Sequence, residues 1–367
     1  MDRKNRIRRI FDNIESDVDA IVLKNAIQPY FDRSFFYVTG LNKGIFENAM
    51  AIVYPDGKTD VAISKLDAIT KDSDMTMHTL ENKKDLSSII KKLLHGYKKI
   101  GINSRELTHH DYMLIKKNLP SAELVDVSTA LLKTRMIKDK EELKLIKEAC
   151  RIASTIAERL PDIISQQGSN VSEHDMNVEI DYLLKKNGAD HPAFETIVAF
   201  GSNSAIPHHI GGNTRLKKGD FMLFDFGATF ERYASDVSRT FVYGKASTKQ
   251  KKMYETVHEA QEIGFDCMKE GVTCEEVHRA VKKHIDKSEF KDKFIHSTGH
   301  TLGLAVHDGG GLAEGNKDIL AENMVFTVEP GIYLPGLGGV RIEDDVLVKK
   351  NSVEILTKNA GKILKEI

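Results

Sequence analysis

The 367-residue sequence predicts a two-domain α/β protein. Three observations predict it. Up to about residue 128, short runs of β-branched and aromatic residues alternate with helical patterns. A capped amphipathic helix begins near Asp139, just past the clearest shift in composition. Beyond it the chain writes one unit twice: helix, helix, strand pair. The expected domains are therefore residues 1–128 and 129–367, the second a curved antiparallel sheet flanked by helices with pseudo-twofold symmetry.

In chain order, the basic start "MDRKNRIRRIF" reads as a solvated first helix. "AIVL" and "FFYVTG" read as strands, and "MAIVYPDGKTDVAIS" as a hairpin turning at Pro55-Asp56-Gly57. "KKDLSSIIKKLLHG" and "RELTHHDYMLIKKNL" read as helices. In the second domain Asp139 and Glu142 have capping-box spacing. Leu143, Ile146, Cys150, Ala153, Ala157 and Leu160 follow at steps of three and four, an apolar stripe. Ser172 with Asp175 and Thr273 with Glu276 mark two further capped helices, each led by a glycine turn and followed by two strands bearing acidic residues.

Composition excludes several classes. Hydrophobic residues make up 41% and charged residues 29%, a globular balance. Lys plus Arg (53) nearly equals Asp plus Glu (54), which argues against nucleic acid as a partner. No apolar run approaches the roughly 18 residues of a membrane span. Three cysteines without metal-type spacing, Cys150, Cys267 and Cys274, point to structural thiols in a reducing, cytoplasmic setting.

The chemistry lies in the acidic strands. Asp225 and Asp236 flank a turn near Phe230-Glu231; Glu329 and Glu343 flank a turn at Pro335–Gly339. A hairpin folded about each midpoint makes each pair cross-strand neighbours, about 5 Å apart at Cβ, where like charges repel. Asp236 and Glu343 could pair with Arg239 and Arg341, but two arginines leave two of the four charges over. Between the hairpins stand His296, His300 and His307. Four carboxylates with an imidazole suit Mn²⁺, Fe²⁺ or Co²⁺ better than a structural zinc, and two ions about 3.5–4 Å apart relieve the crowding best.

Asp225, Asp236, His300, Glu329 and Glu343, set in "DFG", "YASDVSRTF", "TGHTLGLAVHD", "VFTVEPGIY" and "GGVRIEDD", resemble the five metal ligands of the pita-bread metallopeptidases, from about Arg135 onward. The first domain looks like the creatinase/prolidase-type domain of the Xaa-Pro dipeptidase and Xaa-Pro aminopeptidase branch. The resemblance implies two divalent ions, Mn or Co first and Fe or Zn as alternatives. Asp225 would hold one, His300 and Glu329 the other, with Asp236 and Glu343 bridging. The ions would activate a water that cleaves the Xaa–Pro bond of a dipeptide or short peptide with proline second, and relatives are commonly homodimers.

Glu329 matches the family's proton shuttle, and His208 and His307 match histidines that line the substrate site, with His209 the competitor to His208. His296 is expected behind the ligands, and Arg341, on the strand face of Glu343, braces a ligand carboxylate. Many microbial dipeptidases carry Glu-x-Pro-Arg after the histidine. Here Asp308, Gly310 and Gly311 stand there, and no arginine occurs between His307 and Arg341, so Lys317 or the first domain would have to anchor a dipeptide carboxylate. The rival readings are an Xaa-Pro aminopeptidase, a metal-free creatinase-like enzyme and a non-catalytic binding protein. The last two should have lost ligands that this chain keeps.

Overall fold

The basic start forms α1 (Arg3–Asp12), begun where the Asp2 carboxylate accepts the Asn5 N–H. It is not solvated throughout. Arg6 is buried, 4.7 Å over the Tyr37 ring, and donates to the Tyr37 carbonyl. The computed structural model describes residues 2–67 and 74–367, in two units, Met1–Arg135 and Met136–Ile367.

"AIVL" opens β1 (Ala20–Lys24) as expected, but "FFYVTG" is helical, not a strand: it lies in α2 (Arg33–Thr39). Its ends explain the correction. Asp32 caps the start through the Ser34 N–H at 2.9 Å, and Gly40, in the left-handed region at φ +66°, returns its N–H to the Phe36 carbonyl. Every residue from Ser34 to Thr39 is buried, so no apolar period betrays the helix. The hairpin of β2 (Met50–Val53) and β3 (Thr59–Ser64) turns where expected, Gly57 N–H closing on the Tyr54 carbonyl at 2.9 Å.

After β4 (Thr76–Leu80), α3 (Lys83–Leu94), β5 (Lys99–Ile102), α4 (His109–Asn118), β6 (Glu123–Asp126) and α5 (Ser128–Met136) follow. Among the described residues these strands form one mixed sheet in the order β4-β3-β2-β1-β5-β6. Val22, Ile52 and Ile100 of its strands pack with Ile90 of α3 and Ile115 of α4.

The second unit starts with α6 (Lys140–Gln167), whose Asp139–Glu142 capping box is present and whose stripe from Ile146 to Leu160 is buried. Then come α7 (Glu173–Lys186), β7 (His191–Pro192), β8 (Ile197–Phe200), β9 (Phe221–Phe226), β10 (Ala228–Phe230), β11 (Tyr233–Ala234) and β12 (Val237–Val242). The pattern repeats with α8 (Thr248–Cys267), α9 (Cys274–Asp286), β13 (Gly299–His300), β14 (Gly311–Leu312), β15 (Val325–Val328), β16 (Gly331–Leu334), β17 (Gly338–Arg341), β18 (Asp344–Val348) and β19 (Val353–Ile355). The repetition reaches single hydrogen bonds. Ser172 and Thr273 each close a capping box, and each also bridges a later segment, at Arg215 and Ile319. The next residues match as well: Glu173 N–H donates to Thr214 O at 3.0 Å and Cys274 N–H to Asp318 O at 2.9 Å.

The two acidic hairpins lie side by side, joined by Glu343 N–H to Ser238 O at 3.1 Å and Thr240 Oγ1 to Arg341 O at 3.0 Å. The second has the expected register: Val328 faces Asp344 and Gly331 faces Arg341, which sets Glu329 opposite Glu343. The first is offset. Its turn residues are Glu231 and Arg232, both at positive φ (44° and 72°), so Asp225 faces Ser238 and Asp236 falls beside Gly227. The two aspartates are thus diagonal neighbours on one face. Among the described residues no helix is long and apolar enough to cross a membrane, and all three cysteines are free thiols.

Candidate metal centre

Strand geometry brings the predicted ligands together. Asp225 is the last residue but one of the buried strand β9, Asp236 precedes β12, and Glu329 and Glu343 sit where β15 and β18 give way to β16 and β17. His300 is delivered from β13 by its own N–H, which donates to Thr327 Oγ1 at 3.0 Å. Gly299 beside it allows that approach, since a Cβ there would meet the Thr327 carbonyl oxygen at 1.9 Å. Ligating atoms of Asp236, His300 and Glu343 lie within 4.8 Å of one another. His300 Nε2 is 3.6 Å from Asp236 Oδ2 and 3.6 Å from Glu329 Oε1.

The arginines do not neutralise this cluster as simple pairing would have it. Arg239 is turned away onto Asp344 at 2.7 Å. Arg341 reaches Asp225, and its Nε donates to Ser238 Oγ at 2.9 Å while that hydroxyl donates to Glu343 Oε2 at 2.6 Å. Asp225 Oδ1 and Asp236 Oδ1 remain buried with no hydrogen-bond partner among the described residues. A buried acceptor left so is costly unless a cation meets it.

Electrostatics point the same way. Burial, then repulsion from neighbouring carboxylates, pushes Asp236 and Glu343 well above the ordinary carboxylate range. Glu329, raised chiefly by burial and opposed by Arg341, reaches about 8. Burial, followed by the adjacent His307, lowers His300 to about 3, leaving the neutral imidazole a metal requires. Its Nδ1 lies 3.4 Å from the Thr301 carbonyl, which favours Nε2 as the ligating atom. The donor set, rich in oxygen with one imidazole, fits divalent ions of the Mn²⁺, Fe²⁺ and Co²⁺ type.

A cavity of about 680 Å³ opens onto the five residues and is also lined by His208, His296, His307 and Arg341. The structure separates the competing histidines: His208 lines the cavity, while His209 Nε2 is bonded to Glu173 at 3.0 Å. His307 lies against His300, ring centres 4.0 Å apart and planes tilted by 47°. Lys317 is not in the cavity; it pairs with Glu275 in the second repeat.

Residues 144–350 match metallopeptidase family M24, and residues 3–137 match the creatinase/prolidase N-terminal domain. The chain is a member of metallopeptidase family M24. An Xaa-Pro dipeptidase of Pyrococcus horikoshii is 37% identical over 273 residues, covering 74% of this chain and 77% of the relative. Among solved structures, an Xaa-Pro dipeptidase from Bacillus anthracis superposes with a TM-score of 0.88 at 32% identity, covering 100% of this chain and 99% of that one. An X-Pro aminopeptidase from Thermotoga maritima gives 0.85 at 29% identity, covering 93% and 95%.

Around the five candidate residues of this M24 metallopeptidase stand groups that the motifs did not single out. The Tyr333 hydroxyl meets His296 Nε2 and Arg341, each at 2.9 Å, and burial holds it near 12. His296 is therefore tied to Tyr333 rather than to His300, and burial lowers it to about 4. Asp345 accepts the Asp236 N–H at 2.9 Å and the Cys150 thiol at 3.2 Å, fixing the backbone at Asp236. Tyr333 and Asp345 sit in the quoted motifs, where alternation with their metal-facing neighbours was the available signal. Cys150 read only as part of an apolar stripe.

Proposed function

We propose that this M24 metallopeptidase hydrolyses the Xaa–Pro bond of dipeptides with two divalent ions held by Asp225, Asp236, His300, Glu329 and Glu343. The observation that carries the reading is the convergence of these five side chains and His208 and His307 on one cavity. The 37%-identical relative named Xaa-Pro dipeptidase supports the substrate class. Bound divalent ions polarise the peptide carbonyl and lower the pKa of water.

The chain's own groups do the rest. Glu329 faces the cavity and takes the attacking water's proton, then passes it to the proline nitrogen, a tertiary amide nitrogen that leaves only when protonated. His208 and His307 donate to the substrate carbonyl as charge grows on its oxygen. Phe194, Ile197, Ile206, Ile295 and Val306 give the cavity an apolar wall for the proline ring and its neighbour. Arg341 holds Asp225 in place. Mn²⁺ or Co²⁺, a cytoplasmic location and a homodimer complete the reading, the location resting on three free thiols.

One observation favours a second reading, an aminopeptidase acting on longer peptides. Among the described residues no lysine lines the cavity, and Arg341 is engaged by Asp225, Ser238 and Tyr333, so a dipeptide carboxylate finds no spare cation there. Metal-stripped protein should cleave Ala-Pro only after Mn²⁺ is restored. Faster cleavage of Ala-Pro-Ala selects the aminopeptidase. Cleavage of neither by metal-loaded protein removes both.

A further inference from the structure

The loop that carries His208 is held by a carboxylate outside the metal centre. Glu173, the first residue of α7, is fully buried. Its Oε1 accepts Phe200 N–H and Asn203 Nδ2, both at 2.8 Å; its Oε2 accepts His209 Nε2 at 3.0 Å and Gly212 N–H at 3.1 Å. All four donors belong to one segment, residues 200–212, and they sit at both its ends and on either side of His208. Burial raises the carboxyl, but the bonds from His209, Phe200, Asn203 and Gly212 outweigh that and hold it below the ordinary range. The charge also sits at the N-terminus of a helix, where it is favoured.

The second repeat holds a looser parallel, one position further along its helix. Glu275, in the first turn of α9, is buried and accepts Gly315 N–H at 3.2 Å, beyond His307.

We infer that Glu173 and His209 are positioning residues that set His208 for the substrate carbonyl, one carboxylate closing the loop and the His209 ring fixing the backbone beside His208. The inference rests on the Xaa–Pro reading for its kinetic test only. His209→Ala removes one of four bonds and should lower kcat/KM on Ala-Pro by about 10-fold, the scale of groups that orient others. Metal content should be unchanged, and His209→Gln, whose amide can donate to Glu173, should recover most of the rate.

The deciding measurement is the cycle with His208→Ala. In that background His209→Ala should change kcat/KM less than twofold, because the group it positions is gone. A full, independent 10-fold loss would overturn the inference.

A second readout needs no substrate. In Zn²⁺-loaded protein the NMR signals of the His208 ring, assigned by their loss in His208→Ala, should shift or broaden in His209→Ala. Unchanged His208 signals would overturn the inference even if Ala-Pro is never cleaved, whereas shifted signals with no Ala-Pro cleavage would sink only the substrate.

Discussion

In the first acidic hairpin Asp225 faces a serine and Asp236 stands two residues along; in the second, Glu329 faces Glu343 directly. The offset leaves room. The place opposite Asp225 goes to Ser238, whose hydroxyl accepts from Arg341 and donates to Glu343. The first hairpin thereby supplies both two carboxylates and the group that aims a carboxylate of the second. The directly opposed pair has no such spacer; Arg341 of its own hairpin relieves both charges, and Ser238 of the first hairpin helps only Glu343. Two hairpins built on one plan divide the work through a two-residue difference in register.

Substitutions should separate the hairpins by size of effect. Asp236→Asn removes charge where the hairpins meet; activity and bound metal should fall together by more than about 100-fold, beyond the loss typical of supporting groups. A fully metallated, active variant would break the assignment. Ser238→Ala should weaken metal binding about 10- to 100-fold by freeing Glu343, measured by competition with a chelating dye.

Gly227→Ala tests the offset itself. A Cβ there would lie 1.9 Å from the Ser235 carbonyl, so the variant should lose roughly 1–3 kcal/mol in urea unfolding. An unchanged midpoint would mean the strands pair in another register.

A pH slope tests the same carboxylates without a substitution. In metal-free protein Glu329, at about 8, binds its proton more tightly folded than unfolded, where an ordinary glutamate titrates near about 4.3. Stability of the stripped protein should therefore fall as pH rises from about 5 to about 8, and Asp236 and Glu343, shifted the same way, steepen the fall. Saturating Mn²⁺ should abolish or reverse the slope in thermal melts. A flat profile for the stripped protein would show that the carboxylates do not crowd one another.

Much of this was legible in the sequence where a rule has a local cause. The boxes at Asp139, Ser172 and Thr273 depend on residues three apart, and each formed. The second hairpin turns around glycines at 336, 338 and 339, which announce their midpoint. The first turns at Glu231-Arg232, two residues that seldom adopt positive φ, so nothing local marked the register. "FFYVTG" misled because a fully buried helix shows no polar face. Glu173 stayed hidden for another reason: its four partners lie 27 to 39 residues away, and a first-turn glutamate ordinarily suggests only a favourable helix start.

The duplicated plan has one more consequence. Asp225 and Asp236 come from the first half of the second unit, and His300, Glu329 and Glu343 from the other, so neither half owns all five proposed ligands. The proposed centre is an internal seam, and ions held there would staple it. A protease nick in residues 243–247, between β12 and α8, would leave two fragments whose reassociation depends on metal. Loss of the ions would loosen the seam before either half unravels.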